Sequence, residues 1–188
     1  MAVEAEADRH RRDEQKSVGE LRQALDWDRL IVPDVVVPAG DWASTSAKDR
    51  HVMAAAKASD AGVIVTRNVI DFGIADLNGA GLVAAHPDLF LAATMSEVMY
   101  IETLEAMAAV RRRAPKTPPT LHAAFASEHP RLFKRMRALF PNVEPEVTQS
   151  PPAEVFRGQR CLICGQGRAT EAVTDGICNE CVAARAPK

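Results

Sequence analysis

Residues 1 to 160 contain no cysteine, so the body of this 188-residue chain is built without disulfides or thiolate-bound metal. Also missing is any apolar run approaching the roughly 20 residues that cross a bilayer. The opening MAVEAEADRHRRDEQK is charged throughout and lacks the apolar stretch of a secretory leader. Together these absences predict a cytoplasmic protein with no membrane partner. Net positive charge is lacking as well: the formal charge is −2 and the pI about 6.2. Contact with nucleic acid would therefore rest on local basic runs. Two exist, Arg111, Arg112, Arg113 and Lys116, and Arg131, Lys134, Arg135 and Arg137; both serve equally as solvated helix faces or as charges near helix C-termini.

The length suits one core domain with a small appendage. Residues 1–28 read as a polar helical segment, with Val18, Leu21, Ala24 and Leu25 as its thin apolar stripe. Residues 29–92 alternate in the manner of a parallel α/β sheet. Val35 to Val37 form a brief β-branched run between prolines. Asp49 opens a helix whose small face is Val52, Ala55, Ala56 and Ser59. Gly62 to Thr66 and Gly81 to Ala85 follow as short apolar strands. Residues 93–140 read as a helical extension. Thr94 stands three residues before Glu97, a capping-box spacing, ahead of an apolar face of Val98, Ile101, Leu104 and Met107. Later helices fall near Leu121 to Glu128 and Arg131 to Phe140, the latter with Leu132, Phe133, Met136 and Phe140 inward. Residues 141–154, rich in proline and acids, read as a linker, and 155–188 as a cysteine-bearing unit.

Chemistry concentrates around DRHVMAAAKASDAGVIVTRNVIDF, Asp49 to Phe72. In open parallel sheets ligands bind beyond the carboxyl ends of the strands. Asn68 and Asp71 stand just past such an end, and Asp49 stands at the start of the helix leading into that strand. Gathered carboxylates repel, and hard oxygen donors suit Mg²⁺ or Mn²⁺. The same residues also serve as ordinary caps and turns.

DRHVMAAA, then VIVTRNVIDF, then GLVAAHPDLFL resembles the second half of a PIN domain, the nuclease fold of VapC-type toxins; the resemblance runs roughly from Val35 to Phe140. It implies an α/β fold and a divalent-metal-dependent ribonuclease with RNA as substrate and an antitoxin or homodimer partner. Asp49, Asn68 and Asp71 would be the catalytic set, with Asp49 and Asp71 as the Mg²⁺ or Mn²⁺ ligands, directly or through water. Arg67 would approach RNA phosphate, and Thr66 would fix the strand end. His51 reads as a packing or surface residue. The family's first central strand and its acid have no counterpart: the charged N-terminus is no buried strand, and Asp34 in LIVPDVVV lies too close to Asp49. The expected fold is thus an incomplete PIN-like parallel sheet with flanking helices, a helical extension and a small C-terminal zinc ribbon. Lys48 lowers the negative charge beside Asp49. The alternative function is a catalytically inactive PIN-derived module that binds nucleic acid or protein, or a partner that completes another chain's sheet.

CLICGQGRATEAVTDGICNEC holds all four cysteines, Cys161, Cys164, Cys178 and Cys181, as two CxxC pairs separated by thirteen residues. Four thiolates so spaced suit one tetrahedral, structural Zn²⁺, with redox pairs or idle thiols as the other reading. Gly165 and the Asp175-Gly176 pair supply turns. Arg157, Arg160 and Arg168 lend the unit some affinity for nucleic acid, tempered by Glu171, Asp175 and Glu180.

Overall fold

The computed structural model describes residues 42–110, 116–146, 154–166, 173, 174 and 176–185, all within the compact unit Val36–Lys188. The expected N-terminal helix, Asp34, the Val35 to Val37 strand, Arg111 to Arg113, half of the linker (147–153), and Arg168, Glu171 and Asp175 lie outside the described residues.

The alternation read from the sequence is the alternation of the fold. Helix α1 (Arg50–Ala58) leads into strand β1 (Val63–Val65). A 3-10 turn, Val69–Asp71, and the short helix α2 (Ile74–Ala80) then lead into β2 (Val83–Ala85). β1 and β2 pair in parallel, Val63 opposite Val83 and Val65 opposite Ala85. All of β2 is buried, whereas Val65 on β1 is 46% exposed. The difference arises because β2 has a second neighbour: β3 (Phe156–Arg157) pairs antiparallel along its other side, Ala85 opposite Phe156 and Ala84 opposite Arg157.

The two-residue period of β2 divides the apolar core. Ala84 faces Met53, Ile64, Phe72 and Leu77, the α1 and α2 side. Val83 and Ala85 face Leu89, Ala93, Val155 and Leu162, so the cysteine-bearing segment packs directly on the sheet. On α1 the inward stripe is rotated from the one expected. Met53, the bulkiest apolar residue of that helix, is fully buried, while Ser59 is exposed and returns its hydroxyl to the Ala55 and Ala56 carbonyls.

The helical extension starts differently from the expected capping box. Helix α3 (Pro87–Thr94) ends where the next helix was to begin, and Thr94 donates its hydroxyl to the Phe90 carbonyl. Helix α4 (Glu97–Val110) is capped by Ser96, whose Oγ accepts from the Met99 N–H at 3.2 Å. Tyr100 and Leu104 form its buried face, leaving Val98 67% exposed. Pro118 and Pro119 sit in the first turn of α5 (Pro118–Glu128), where proline's missing N–H costs nothing. Helix α6 (Pro130–Arg135) and a 3-10 turn, Arg137–Leu139, bury Leu132, Phe133 and Met136. No helix among the described residues is long and apolar enough to cross a membrane.

Two polar contacts organise this extension. Asp88, in the first turn of α3 and 1% exposed, accepts the Arg131 N–H at 3.0 Å and the Leu132 N–H at 3.1 Å, so it caps α6 from 43 positions upstream. The Arg131 guanidinium at 3.5 Å supplies the opposite charge that a buried carboxylate requires. His122, fully buried, lies between Phe133 and Phe140 with ring centroids 4.4 and 4.8 Å away, and its Nδ1 is 2.8 Å from the Tyr100 hydroxyl. Burial pushes the His122 pKa down and the Tyr100 pKa up.

Asp88→Ala is expected to lower stability by about 2–4 kcal/mol in urea melts, since it strips two N–H groups and a guanidinium of their acceptor. Asp88→Asn, which keeps one acceptor oxygen, is expected to cost less. A second expectation concerns pH. His122 is neutral when folded, but takes up a proton in the unfolded chain once pH falls below the ordinary value of 6.5. The unfolded state then binds more protons, so Tm should fall by a few degrees between pH 7.5 and 5.5, and His122→Asn should flatten that slope.

Candidate active site and metal centre

Asp49 occupies the N-cap position of α1, yet its carboxylate caps no helical N–H. Its Oδ2 is buried without a hydrogen-bond partner. Asp71 closes the 3-10 turn that follows β1. Between the two stands Lys48, with Nζ 2.7 Å from Asp71 Oδ2 and 3.9 Å from Asp49 Oδ2. The hydrogen bond to Asp71, then the charge of Asp71, then that of Asp49 raise the Lys48 pKa, so the ammonium stays charged. The chain thus places its own cation between the two acids.

Two loops are sewn together to achieve this. The Ser46 N–H donates to the Asp71 carbonyl at 2.8 Å, the Gly73 N–H to Thr45 Oγ1 at 3.1 Å, and the Thr45 N–H to Asp76 Oδ2 at 2.7 Å. Arg50 Nε donates to the Thr45 carbonyl. The loops approach so closely at Gly73 that a Cβ there would fall 2.0 Å from Ser44 Oγ. Thr45, 3% exposed, and Asp76 were not singled out from the sequence. DWASTSAK reads as one undifferentiated loop, and only the partner loop 28 residues on reveals which hydroxyl is buried.

Asn68 is exposed at the start of the Asp71 turn, and its N–H donates to Thr66 Oγ1 at 3.1 Å. Arg67, 71% exposed, pairs with Glu128 at 2.8 Å. His51 is exposed on α1. The fold therefore gathers Asp49 and Asp71, and keeps Asn68 and Thr66 in the same turn region as Asp71. Among the described residues no third acid, histidine or cysteine joins the pair closely enough to complete a shared ion site.

Arg157, offered to nucleic acid by the sequence, is engaged inward. Its Nη1 donates to the carbonyls of Ile70 at 3.0 Å and Phe72 at 3.2 Å, the residues on either side of Asp71. Glu154 holds the other side of the guanidinium, with Nη2 to Oε2 at 3.0 Å.

The four cysteine sulfurs lie within 4.8 Å of one another. A tetrahedral site with Zn–S bonds of about 2.3 Å has edges of roughly 3.8 Å, and Cys164 Sγ lies 3.8 Å from Cys178 Sγ. Cys161 and Cys164 come from a tight turn in which the Gly165 N–H donates to the Cys161 carbonyl. Cys178 ends β5 (Ile177–Cys178), paired antiparallel with β4 (Val173–Thr174), and Cys181 lies in α7 (Asn179–Arg185). Gly176 in the connecting turn has φ +77°, and a Cβ would meet Leu162 at 2.7 Å, so only glycine fits there. Burial works to raise the Cys161 pKa but is outweighed by the N–H groups of Cys164, Cys178 and Ile163, which bring it to about 6. The hydrogen bond that the Cys181 thiol makes to Cys178 leads the causes that push Cys181 up to about 12. A sulfur as acidic as that of Cys161, crowded among three others, is part of a set that a divalent cation would balance.

The donor sets fit two different ions. Four thiols around one point fit Zn²⁺. The orphaned Asp49 oxygen and the Asp71 carboxylate fit a hard divalent cation wherever Lys48 yields its place.

The site therefore sits on a mixed α/β sheet, with Asp71 past the carboxyl end of a parallel strand. Over 102 residues the chain is 36% identical to a Mycobacterium tuberculosis protein named "Putative ribonuclease VapC50", covering 52% of this chain and 59% of that one. The chain thus spans about three fifths of that relative's length, and the similarity supports a PIN-like relationship for this part of the molecule. No protein-family description matches the chain, and no solved structure matches it.

Plasma-emission analysis of the purified protein is expected to find about one zinc per chain, and Cys164→Ser, at an exposed ligand position, should lose most of it.

Proposed function

We propose that this chain is a PIN-like ribonuclease that uses Mg²⁺ or Mn²⁺ to cleave RNA phosphodiester bonds, with a structural Zn²⁺ in the four-cysteine unit. The observation that carries this reading is the meeting of the Asp49 and Asp71 carboxylates at one cation position, with an Asp49 oxygen that no donor satisfies. The identity shared with a protein named as a ribonuclease supports it. Asp49 and Asp71 hold the divalent ion, directly or through water, and Asn68 is the polar member of the same site. When bound, that ion supplies activation of water and stabilisation of charge on the scissile phosphate. Thr66 keeps Asn68 in place through its N–H. Arg67 reaches RNA phosphate by leaving Glu128, because an exposed pair of this kind is worth only about 0–1 kcal/mol. Lys48, exposed and on a long flexible stem, swings aside when the divalent ion arrives. We further assign the protein a cytoplasmic, toxin-like role with an antitoxin or a second copy as partner.

One observation favours a second reading. Lys48 already neutralises the acid pair, and two carboxylates without a third described ligand make a weak cage. A catalytically inactive PIN-derived module that binds nucleic acid or protein is the function consistent with that.

The deciding experiment offers a mixed RNA pool to the protein with Mn²⁺ or Mg²⁺. Cleavage should occur, and should fall to background with EDTA and in Asp49→Asn and Asp71→Asn variants that remain folded. Intact RNA after incubation with folded, zinc-loaded protein would establish the binding module instead.

A further inference from the structure

Among the described residues, the Arg157 side chain links the C-terminal unit to the acidic rim. Arg157 is half of the two-residue strand β3, and the strand pairing that sets Arg157 opposite Ala84 also carries its guanidinium to the carbonyls of Ile70 and Phe72. A guanidinium presents its donors in a rigid fork. Here one end grips the turn on both sides of Asp71, and the other is locked by Glu154. The direction in which the Asp71 carboxylate points therefore depends on β3 staying in place.

Few backbone bonds hold β3, although Val155 and Phe156 pack in the cluster of Val83, Ala85, Leu89 and Ala93. A pairing two residues long is far below what stands alone, and its neighbouring backbone link is the His86 N–H to the Val155 carbonyl at 2.8 Å. Further support comes from the cysteine unit. Cys161 follows Arg157 by four positions, the Leu162 N–H donates to the Gly176 carbonyl at 2.8 Å, and Leu162 and Phe156 close around Gly176. A unit of this size has too small a core to fold without its metal.

We infer that the four-cysteine unit is a metal-dependent clamp on the acid-bearing turn, with Arg157 as the positioning residue that transmits zinc occupancy to Asp71. The inference rests on the proposed zinc reading, and it needs no cleavage activity to be tested. With zinc held, β3 stays in the sheet and the Ile70 to Phe72 turn is fixed. When zinc is removed, β3 leaves and the turn loses its grip.

Hydrogen exchange of the full-length chain, followed by mass spectrometry over residues 68–73, tests this in zinc-loaded protein, in chelator-stripped protein and in zinc-loaded Arg157→Lys. Exchange at Phe72 and Gly73 is expected to quicken at least tenfold on stripping. Arg157→Lys should quicken the same segment at unchanged zinc content, because an ammonium cannot hold two carbonyls and Glu154 at once. Exchange in 97–110 and 118–128 should stay as it was in both cases, which a general loss of stability would not allow. Unchanged exchange at 68–73 in protein shown to release its zinc overturns the clamp while leaving the zinc site standing. Protein that carries no zinc from the outset overturns both, and the metal assay tells the two failures apart.

Discussion

The three residues of β2 are the constraint on which the described structure depends. A strand with both backbone edges paired and both faces covered has no freedom to shift, and β2 is in that condition: parallel β1 on one side, antiparallel β3 on the other, and an apolar cluster above and below. Its small side chains at Ala84 and Ala85 let both layers come close, and both are fully buried. A slip of one residue would exchange the two faces, bringing Val83 and Ala85 toward α1 and driving Ala84 toward the cysteine unit. The sheet is minimal, yet its register is fixed, and the position of the acidic turn follows from it.

Charge placement at the rim is as economical as the packing. Two carboxylates that close would repel, and the chain answers with Lys48, an adjacent residue whose stem reaches both. The ammonium is exposed, so it neutralises the pair without sealing it. In the cysteine unit four sulfurs crowd together, with the Cys161 thiol brought down to about 6 and that of Cys181 pushed up to about 12. These are two answers to crowding of like groups: a tethered cation at the hard oxygen site, and thiol acidities pushed apart at the soft sulfur site.

Local signals were legible in the sequence, and distant ones were not. The VIV and VAA runs announced parallel strands because β-branched and small apolar residues bounded by turns admit few other uses. The cysteine spacing announced a cluster, and the four sulfurs do converge. Helix faces were read in part: Val52 and Ala56 on α1 and Leu104 and Met107 on α4 pack inward as expected, but side-chain volume put Met53 and Tyr100 at the centre and left Ser59 and Val98 outside. Around the acids, the position of Asp49 before a helix could be read, but not that its carboxylate would leave the helix uncapped. Lys48 was visible as a neighbour and invisible as a bridge. Arg157 stands 87 positions beyond the Ile70 carbonyl it holds, and no local pattern encodes such a contact.

Asp88 carries an implication for how a chain of this kind can be divided or recombined. Its carboxylate belongs to the sheet-proximal helix α3, yet the N–H groups that satisfy it belong to α6, 43 residues later. The border between core and extension is therefore a seam stitched by a buried charge, and not a free joint. Any shortening of the chain before α6 would take away the N–H groups and the Arg131 guanidinium that satisfy this carboxylate. A lineage that sheds the extension must change residue 88 in the same step or pass through an unstable intermediate, so this one aspartate makes the helical extension difficult to lose.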